Sequence, residues 1–331
     1  MSGNASNANL FWTTYQPYTL FIYSLHCFEA VLSLTGNTLT LIAIRKTKNL
    51  KKVPTNVFIM SLASSDAIIG LLIPVFVGVK FLDTEQFSNG TMCLLHGPYI
   101  SMFIISLMIL LAIAVDRYLA IVHSLSYKQR MTLRRAKIIT VVIWIVSLCS
   151  MTSLTCYYSF KRNVSEQGIR IIGSLYPKFV LMILLQIGII GPLLGNIVLY
   201  ILIYIKLKTK TIFRGRGINN GLNESATSKP TKAYVNMMVL VLVYLGIACI
   251  PYYVILVILK EMTSSTPVWF VYLFDTSTVL FYSNCFMNPF IYSWKNRNFR
   301  NAYKTIMTVK RSSSVVPSER TRTIFISMDT Y

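Results

Sequence analysis

The sequence predicts an all-α membrane protein, a seven-transmembrane helix bundle with a short amphipathic eighth helix on the cytosolic face. Of the 331 residues, 54% are hydrophobic and only 13% are charged, a balance far from that of soluble domains. The chain also contains seven apolar stretches, each of which can cross about 30 Å of hydrocarbon as a helix of roughly 20 residues. Backbone polar groups inside lipid must be satisfied within the segment, so such stretches form helices rather than isolated strands.

The seven spans follow one another along most of the chain. We expect them near residues 19–44, 56–80, 94–122, 137–157, 175–205, 234–259 and 268–293. They define an extracellular N-terminal tail (1–18), the transmembrane bundle (19–293), the amphipathic helix (294–307) and a disordered cytosolic tail (308–331). The connection 206–232 contains several Gly and Asn residues and is predicted to be a flexible loop.

The amphipathic helix is predicted from an alternation of residue types. Phe299, Tyr303 and Ile306 alternate there with Arg297, Arg300 and Lys304. This pattern predicts a helix that lies on the inner leaflet and contacts membrane lipids.

The basic residues predict the orientation of the bundle. The formal net charge is +21, and 26 of the 32 Lys and Arg residues lie on one side of the predicted spans. Because basic residues accumulate on the cytosolic side, we expect a plasma-membrane protein with its N-terminus outside and its C-terminus in the cytosol. The N-glycosylation sequons at Asn4, Asn89 and Asn163 then fall on extracellular segments. Nucleic-acid binding is not expected, since the basic residues sit between apolar runs.

Short groups of residues, most of them with a polar member, and several prolines recur inside the spans, where a polar residue is costly and implies a function. In chain order they are Gly36-Asn37, Leu62-Ala63-Ser64-Ser65-Asp66, Asp116-Arg117-Tyr118, Trp144, Pro192 with Tyr200, Pro251, and Asn288-Pro289-Phe290-Ile291-Tyr292. This ordered set, one group per helix, resembles the signature of the rhodopsin-like (class A) G-protein-coupled receptors over about residues 19–307. The resemblance implies a receptor, not an enzyme, that binds an extracellular ligand and activates a heterotrimeric G protein. Its cytosolic motifs are similar to those of adenosine and melanocortin-like receptors.

The resemblance also assigns residues to G-protein coupling and activation. They are Asp116, Arg117, Tyr118, Tyr200, Pro251, Asn288, Pro289 and Tyr292. In the family, the arginine matched by Arg117 meets the G protein once helix six has swung outward, and the tyrosines matched by Tyr200 and Tyr292 hold that open state. The alternative is that Arg117 only reaches the polar interface. This sequence departs from the family at Cys249, which replaces the switch tryptophan, and at Thr231, where no acid stands.

Asp66 is the acid in helix two, and it needs partners because an isolated carboxylate inside a bilayer is costly. The matching family positions, which share a sodium ion and waters with this aspartate, are Asn37, Ser106, Asn284 and Asn288. The resemblance therefore implies an allosteric sodium ion at Asp66. The alternative is a hydrogen-bonded network without sodium. No other metal and no cofactor are expected.

Two cysteines resemble the family disulfide between helix three and the second extracellular loop. They are Cys93 and Cys156, and both fall on the extracellular side, where oxidising conditions prevail. Cys93 lies one residue nearer to Arg117 than the family spacing, which predicts a bulge or a shifted helix start.

The expected ligand pocket is aromatic and has few polar groups. Its candidate residues are Tyr99, Met102, Phe103, Gln186, Tyr252, Leu256, Asp275 and Tyr282. Such a lining favours a small or lipid-like molecule; packing between helices is the alternative reading for each residue. Helix seven has Tyr282 where opsins carry the retinal Schiff-base lysine, and helix three has Tyr99 where amine receptors carry an aspartate. Light sensing through a retinal Schiff base and an amine ligand held by that aspartate are therefore both disfavoured. Glu29 is an intramembrane acid and hence a functional candidate, whereas Asp275 is expected at the wet rim.

Other functions remain as alternatives. A non-signalling or decoy seven-helix protein would share the fold. A transporter is disfavoured because inverted repeats are not visible, and an enzyme is disfavoured because the three histidines lie on separate segments without a nucleophile. For a signalling receptor, the Ser- and Thr-rich tail is a candidate substrate of a receptor kinase, whose phosphates would recruit arrestin.

Overall fold

The fold is known from a computed structural model, which describes residues 3–78, 89–162, 175–215, 225–261, 267–295 and 297–309. All regular elements within these ranges are helices. The long helices are α1 (Gly3–Lys46), α2 (Pro54–Gly78), α3 (Gly97–Val122), α4 (Leu133–Arg162), α5 (Lys178–Leu185, Gln186–Ile190 and Gly191–Gly215), α6 (Ser225–Glu261), α7 (Val268–Lys295) and α8 (Arg297–Val309). The middle part of α5 and the turn Met92–His96 before α3 are π-helical.

Six of these helices are long and apolar enough to cross a membrane by composition alone. The apolar segments are Pro17–Lys46, Pro54–Phe76, Cys93–Val122, Leu133–Lys161, Lys178–Leu207 and Val239–Leu259. The seventh, α7, has 28 residues, which is ample for a span, but it is more polar. Its polar side chains, including Thr278, Asn284 and Asn288, are buried against other helices and so avoid lipid. The predicted seven-helix bundle is confirmed.

α3 lies at the centre of the bundle and packs against α2, α4 and α5, while α1 packs against α2 and α7, and α6 against α7. A column of isoleucines on α3, formed by Ile105, Ile109 and Ile113, is fully buried. The outside of the bundle is apolar as well: Val142 and Ile145 of α4 are more than half exposed. An apolar outer surface is what a bundle in hydrocarbon requires, because lipid tails are its solvent.

The amphipathic eighth helix is also present. Phe299 and Tyr303 of α8 are buried, whereas Arg300 and Lys304 are exposed. The Tyr303 hydroxyl hydrogen-bonds with Thr40 Oγ1 of α1 at 2.7 Å, so α8 is attached to the C-terminal half of α1. Burial raises the pKa of the Tyr303 hydroxyl to about 12.

Two predicted boundaries differ from the structure. α5 continues to Gly215 and α6 begins at Ser225, so most of the predicted 206–232 loop is helical. The helix-breaking residues are concentrated between Gly215 and Gly221, and the flanking chain is free to extend the helices. α1 begins at Gly3 and continues through Pro17, so the segment predicted as a tail is largely helical. Asn163 and residues 310–331 lie outside the described residues.

Candidate functional site

The N-terminal end of α2 and the C-terminal end of α3 are joined by a charged network. Asp116 is fully buried, and its Oδ2 accepts hydrogen bonds from Thr55 Oγ1 at 2.6 Å and from Arg117 Nε at 3.1 Å. Its Oδ1 accepts a hydrogen bond from the Tyr127 hydroxyl at 2.9 Å. Arg117 Nη2 also contacts both Asp116 and Thr55. The guanidinium is therefore held within the bundle by two helices.

Thr55 and Tyr127 are site residues that the sequence did not reveal. Thr55 stands in the first turn of α2, directly after Pro54, and Tyr127 opens the single turn Tyr127–Arg130 after α3. Burial, followed by the negative charge of Asp116, raises the pKa of the Tyr127 hydroxyl. The phenol therefore stays protonated at neutral pH and donates to the carboxylate. Nothing in the local sequence pairs either residue with Asp116; only the fold brings them together.

The other predicted coupling residues lie on α3, α5, α6 and α7. Tyr200 lines a small cavity between α3, α5 and α6, together with Leu110, Asn196, Val241, Leu242 and Leu245. Tyr292 is buried, and its ring lies 5.7 Å from that of Phe299 on α8. Tyr118 contacts His123 edge to face. Pro251 is half-buried within α6, and Pro289 lies inside α7, where its ring would be 3.2 Å from a Cβ at Gly36.

Asp66 is the centre of a polar network between α2, α3 and α7. It is fully buried; its Oδ1 accepts a hydrogen bond from Ser106 Oγ at 2.8 Å and its Oδ2 accepts one from Asn288 Nδ2 at 2.9 Å. Asn284 takes part through its carbonyl oxygen, 3.4 Å from Asn288 Nδ2. Asn37 instead donates to the carbonyl oxygen of Cys285 at 2.8 Å. The structure thus brings the side chains of three of the five predicted residues, Asp66, Ser106 and Asn288, into direct contact.

The donor set at Asp66 suits a hard cation. Carboxylate and hydroxyl oxygens are the ligands that such cations prefer, and Asp66 and Ser106 supply both kinds. Each carboxylate oxygen nevertheless has a hydrogen-bond donor within the protein, so the network is also satisfied by protein groups alone. No group of three or more His, Cys, Asp or Glu side chains at metal-binding spacing occurs within the described ranges.

Four of the predicted pocket residues form one aromatic cluster. The Tyr99 hydroxyl donates to the Tyr282 hydroxyl. Phe103 lies 5.7 Å from the Tyr282 ring and 4.9 Å from Phe281, and Tyr252 stacks on Phe281 at 4.5 Å. The cluster joins α3, α6 and α7. Phe281 is a member that the sequence did not single out.

The remaining four pocket candidates are dispersed. Met102 and Leu256 are buried in the core. Gln186 is exposed, and its Nε2 donates to the Tyr253 hydroxyl at 2.7 Å, which links α5 to α6. Asp275 is only 2% exposed, so its expected place at the wet rim is wrong.

The burial of Asp275 has a structural cause. α1 extends beyond the N-terminal limit of the predicted span, and its Tyr18 packs on Tyr272 of α7 with ring centroids 4.3 Å apart. The Tyr18 hydroxyl donates to the carbonyl oxygen of Tyr272 at 3.0 Å. The N-terminal end of α7 is thus covered by α1, because the two helices continue side by side.

A buried pair of ionisable residues on α1 borders the aromatic cluster. His26 Nδ1 lies 2.9 Å from Glu29 Oε2, and the two residues are 1% and 5% exposed. The His26 ring lies 5.0 Å from that of Tyr282, and its Nε2 lies 3.4 Å from Thr278 Oγ1. Glu29 was a candidate from its position inside the span, whereas His26 was not.

The N-terminal end of α3 and the C-terminal end of α4 are fixed to each other. Cys93 and Cys156 form a disulfide with Cα atoms 4.5 Å apart, and Cys93 lies in the π-helical turn Met92–His96. The unusual spacing of Cys93 thus coincides with an irregular start of the helix. A Cβ at Gly97 would lie 2.7 Å from the Thr152 Cα, so only glycine permits this close approach.

Comparison with known proteins agrees with this geometry. Residues 36–292 match the family model of the 7 transmembrane receptor (rhodopsin family). The chain is 27% identical to somatostatin receptor type 2 of Mus musculus over 91% of this chain and 79% of the relative. It is 28% identical to trace amine-associated receptor 8b of Rattus norvegicus over 92% and 91%, and 25% identical to neuropeptide FF receptor 1 of Homo sapiens over 89% and 73%. The chain therefore belongs to the rhodopsin family of seven-transmembrane receptors.

Proposed function

We propose that this G-protein-coupled receptor is switched at the Arg117 network, where release of the guanidinium from Asp116 and Thr55 accompanies opening of the cytosolic ends of α3, α5, α6 and α7. The single observation that supports the proposal is that the partly buried Arg117 guanidinium contacts both Asp116 and Thr55, which lies on a neighbouring helix. An arginine that only reached the interface would not need a threonine on a neighbouring helix as a partner. A charge-assisted network of this kind has two discrete arrangements, held and released.

The proposed orientation places the N-terminus outside and the C-terminus in the cytosol. It is supported by the excess of basic residues at the end of the bundle that carries Arg117 and α8. The acidic or polar surface of a G protein and the anionic inner leaflet would both meet positive charge there. Asn4, Asn89 and Asn163 would then be exposed to the glycosylation machinery, and phosphorylation of the tail would recruit arrestin.

The proposed ligand is a small molecule that enters the outer half of the bundle. The aromatic cluster of Tyr99, Phe103, Tyr252, Phe281 and Tyr282 supports this, because such walls with few polar groups bind compact apolar or aromatic bodies. One relative is named for trace amines, and aromatic clusters also attract ammonium groups through their ring faces. An amine-bearing ligand is accordingly our favoured class.

We further propose that sodium binds at Asp66 and favours the closed state. The support is the chemistry of the oxygen donors at Asp66 and Ser106 and the match of Asn37, Asn284 and Asn288 to the family positions. A sodium ion would bring the side chains of α2, α3 and α7 to one centre. Opening, which moves these helices, would then release it.

The test of G-protein coupling compares wild type with Arg117→Ala at matched surface levels. Guanine-nucleotide exchange on purified G proteins, with cAMP and calcium in cells, is measured without ligand and across a panel of small amines. We expect a signal above that of mock cells, which is lost in Arg117→Ala and kept in Lys161→Ala. Lys161 is an exposed basic residue at the C-terminal end of α4, at the end of the bundle opposite Arg117. Equal signalling by both variants would refute the role of Arg117, and silence of wild type at the surface would favour a decoy.

A further inference from the structure

A short turn between α3 and α4 carries one partner of the Arg117 network. It is the four-residue turn Tyr127–Arg130, and its Tyr127 hydroxyl donates to Asp116 Oδ1 at 2.9 Å. A helix of this length is marginal by itself, because it makes few hydrogen bonds for the backbone that it orders. Another part of the molecule must therefore hold the turn in place if Tyr127 is to stay at Asp116.

The guanidinium of Arg135 supplies that support from α4. Its Nη1 donates to the carbonyl oxygen of Gln129 at 2.7 Å and to that of Arg130 at 2.9 Å. The last carbonyl oxygens of a helix have no partner within the helix, and a basic side chain that reaches them also complements the helix dipole. The C-terminal end of the turn is thus closed by a residue of the next helix.

The position of Arg135 is itself fixed by the start of α4. Thr132 directly precedes α4, and its Oγ1 accepts a hydrogen bond from the Arg135 backbone N–H at 3.3 Å. This is the contact that an N-cap residue makes with the first turn of a helix. Met131, between the turn and Thr132, is only 5% exposed and packs in the hydrophobic core. The Arg135 side chain therefore starts from a fixed backbone and reaches back over a short, anchored segment.

We propose that Arg135 is a positioning residue of the switch: by holding the turn, it keeps the Tyr127 hydroxyl on Asp116 and so favours the state in which Arg117 is held. The inference rests on the proposed function, since it adds a residue to the control of the same network. Arg135 acts through the turn and through Tyr127, because its side chain contacts the carbonyl oxygens of the turn rather than Asp116. The first turn of α4 thereby takes part in restraining Arg117.

A matched control residue lies next to Arg135 in the chain. Arg134 is exposed and basic like Arg135, but its side chain makes no hydrogen bond with any residue that the structure describes. Arg134→Ala and Arg135→Ala therefore remove the same charge from the same surface, and only the second frees the turn. A difference between the two variants reports the contacts with the turn rather than the loss of charge.

The first test is a double-mutant cycle on nucleotide exchange without ligand, at equal amounts of receptor in lipid nanodiscs. A hydrogen bond of this kind changes an equilibrium by about 2- to 10-fold, so Arg135→Ala should raise basal exchange by up to that factor. Tyr127→Phe should raise it as well, and Arg135→Ala should add nothing in the Tyr127→Phe background. Arg134→Ala should leave basal exchange unchanged. Equal effects of the two arginine variants would overturn the proposal, and so would independent effects of Arg135→Ala and Tyr127→Phe.

The second test reports the surroundings of Tyr127 and needs no G protein. In receptor labelled with ¹³C at the tyrosine Cζ atoms, the Tyr127 signal is identified by its loss in Tyr127→Phe. The chemical shift of Cζ depends on the hydrogen bond of the hydroxyl, so Arg135→Ala should move the signal and Arg134→Ala should not. An unmoved signal in Arg135→Ala would refute the positioning role. A moved signal in a receptor without nucleotide exchange would support that role and contradict only the coupling proposal.

Discussion

Thr55→Val is the most specific test of the proposed switch at Arg117, because it removes one hydroxyl and keeps the size and branching of the side chain. In the structure, Thr55 Oγ1 donates to Asp116 Oδ2 at 2.6 Å and contacts Arg117 Nη2. Thr55 is 1% exposed and Asp116 is fully buried, so water cannot replace the lost hydroxyl. The change acts on the state in which α2 and α3 hold Arg117.

The expected magnitude follows from the kind of hydrogen bond that is lost. A hydrogen bond to a buried charge contributes about 1.5 to 3 kcal/mol. Asp116 keeps Tyr127 and Arg117 as partners, which favours the lower end of that range. A destabilisation of the held state by about 1.4 kcal/mol shifts its ratio to the released state roughly tenfold. Ligand-independent nucleotide exchange should therefore rise by up to roughly tenfold.

Exchange on purified G protein, normalised to receptor in the same nanodiscs, measures this shift directly. Thr140→Val is the matched control, because the Thr140 hydroxyl bonds only within its own helix, to the Ala136 carbonyl oxygen at 2.9 Å. Thr55→Val should also lower the unfolding midpoint, whereas Thr140→Val should change neither quantity much. Unchanged basal exchange in Thr55→Val, with the midpoint lowered, would refute the view that this contact restrains Arg117.

Three further predictions test other parts of the structure. Wild type should unfold at a higher temperature in NaCl than in choline chloride, and Asp66→Asn should lose this difference because it removes the negative charge of the polar network. An equal effect of sodium on the unfolding temperature of wild type and variant would exclude Asp66 as the sodium site. Gly97→Ala should destabilise the fold by about 1 to 3 kcal/mol, the usual cost of overpacking, because its Cβ would meet the Thr152 backbone. Gly246→Ala should cost less in the same denaturation assay, because its Cβ would lie 3.8 Å from a side-chain methyl of Ile250. Because burial raises the pKa of the Tyr303 hydroxyl to about 12 from its ordinary value of 10.0, its contribution to stability is complete below pH 10 and is lost as pH rises towards 12. Tyr303→Phe should remove that pH-dependent loss, and an identical alkaline profile in the variant would contradict this prediction.

Several contacts in the structure could not be predicted from the sequence, because they join residues that are far apart in the chain. Thr55 and Asp116 are 61 residues apart and Asn288 and Asp66 are 222 apart. The sequence reveals that each polar group in lipid is costly, because this is a local property. The hydrogen-bond partner of that group depends on which helices pack together. Asn37 illustrates the limit: it was expected at Asp66, and its amide bonds the Cys285 carbonyl oxygen instead.

By itself, the sequence determined that the chain crosses the membrane as a seven-helix bundle, and its ordered motifs indicated the receptor family. Both conclusions depend on quantities that single segments carry, namely the length of apolar runs and the cost of polar groups within them. Only the tertiary structure decided that Asp275 is buried, that Thr55 and Tyr127 share Asp116 with Arg117, and that His26 and Glu29 border the aromatic cluster. These facts depend on the lengths of α1 and α7 and on contacts between distant helices, which no local pattern encodes.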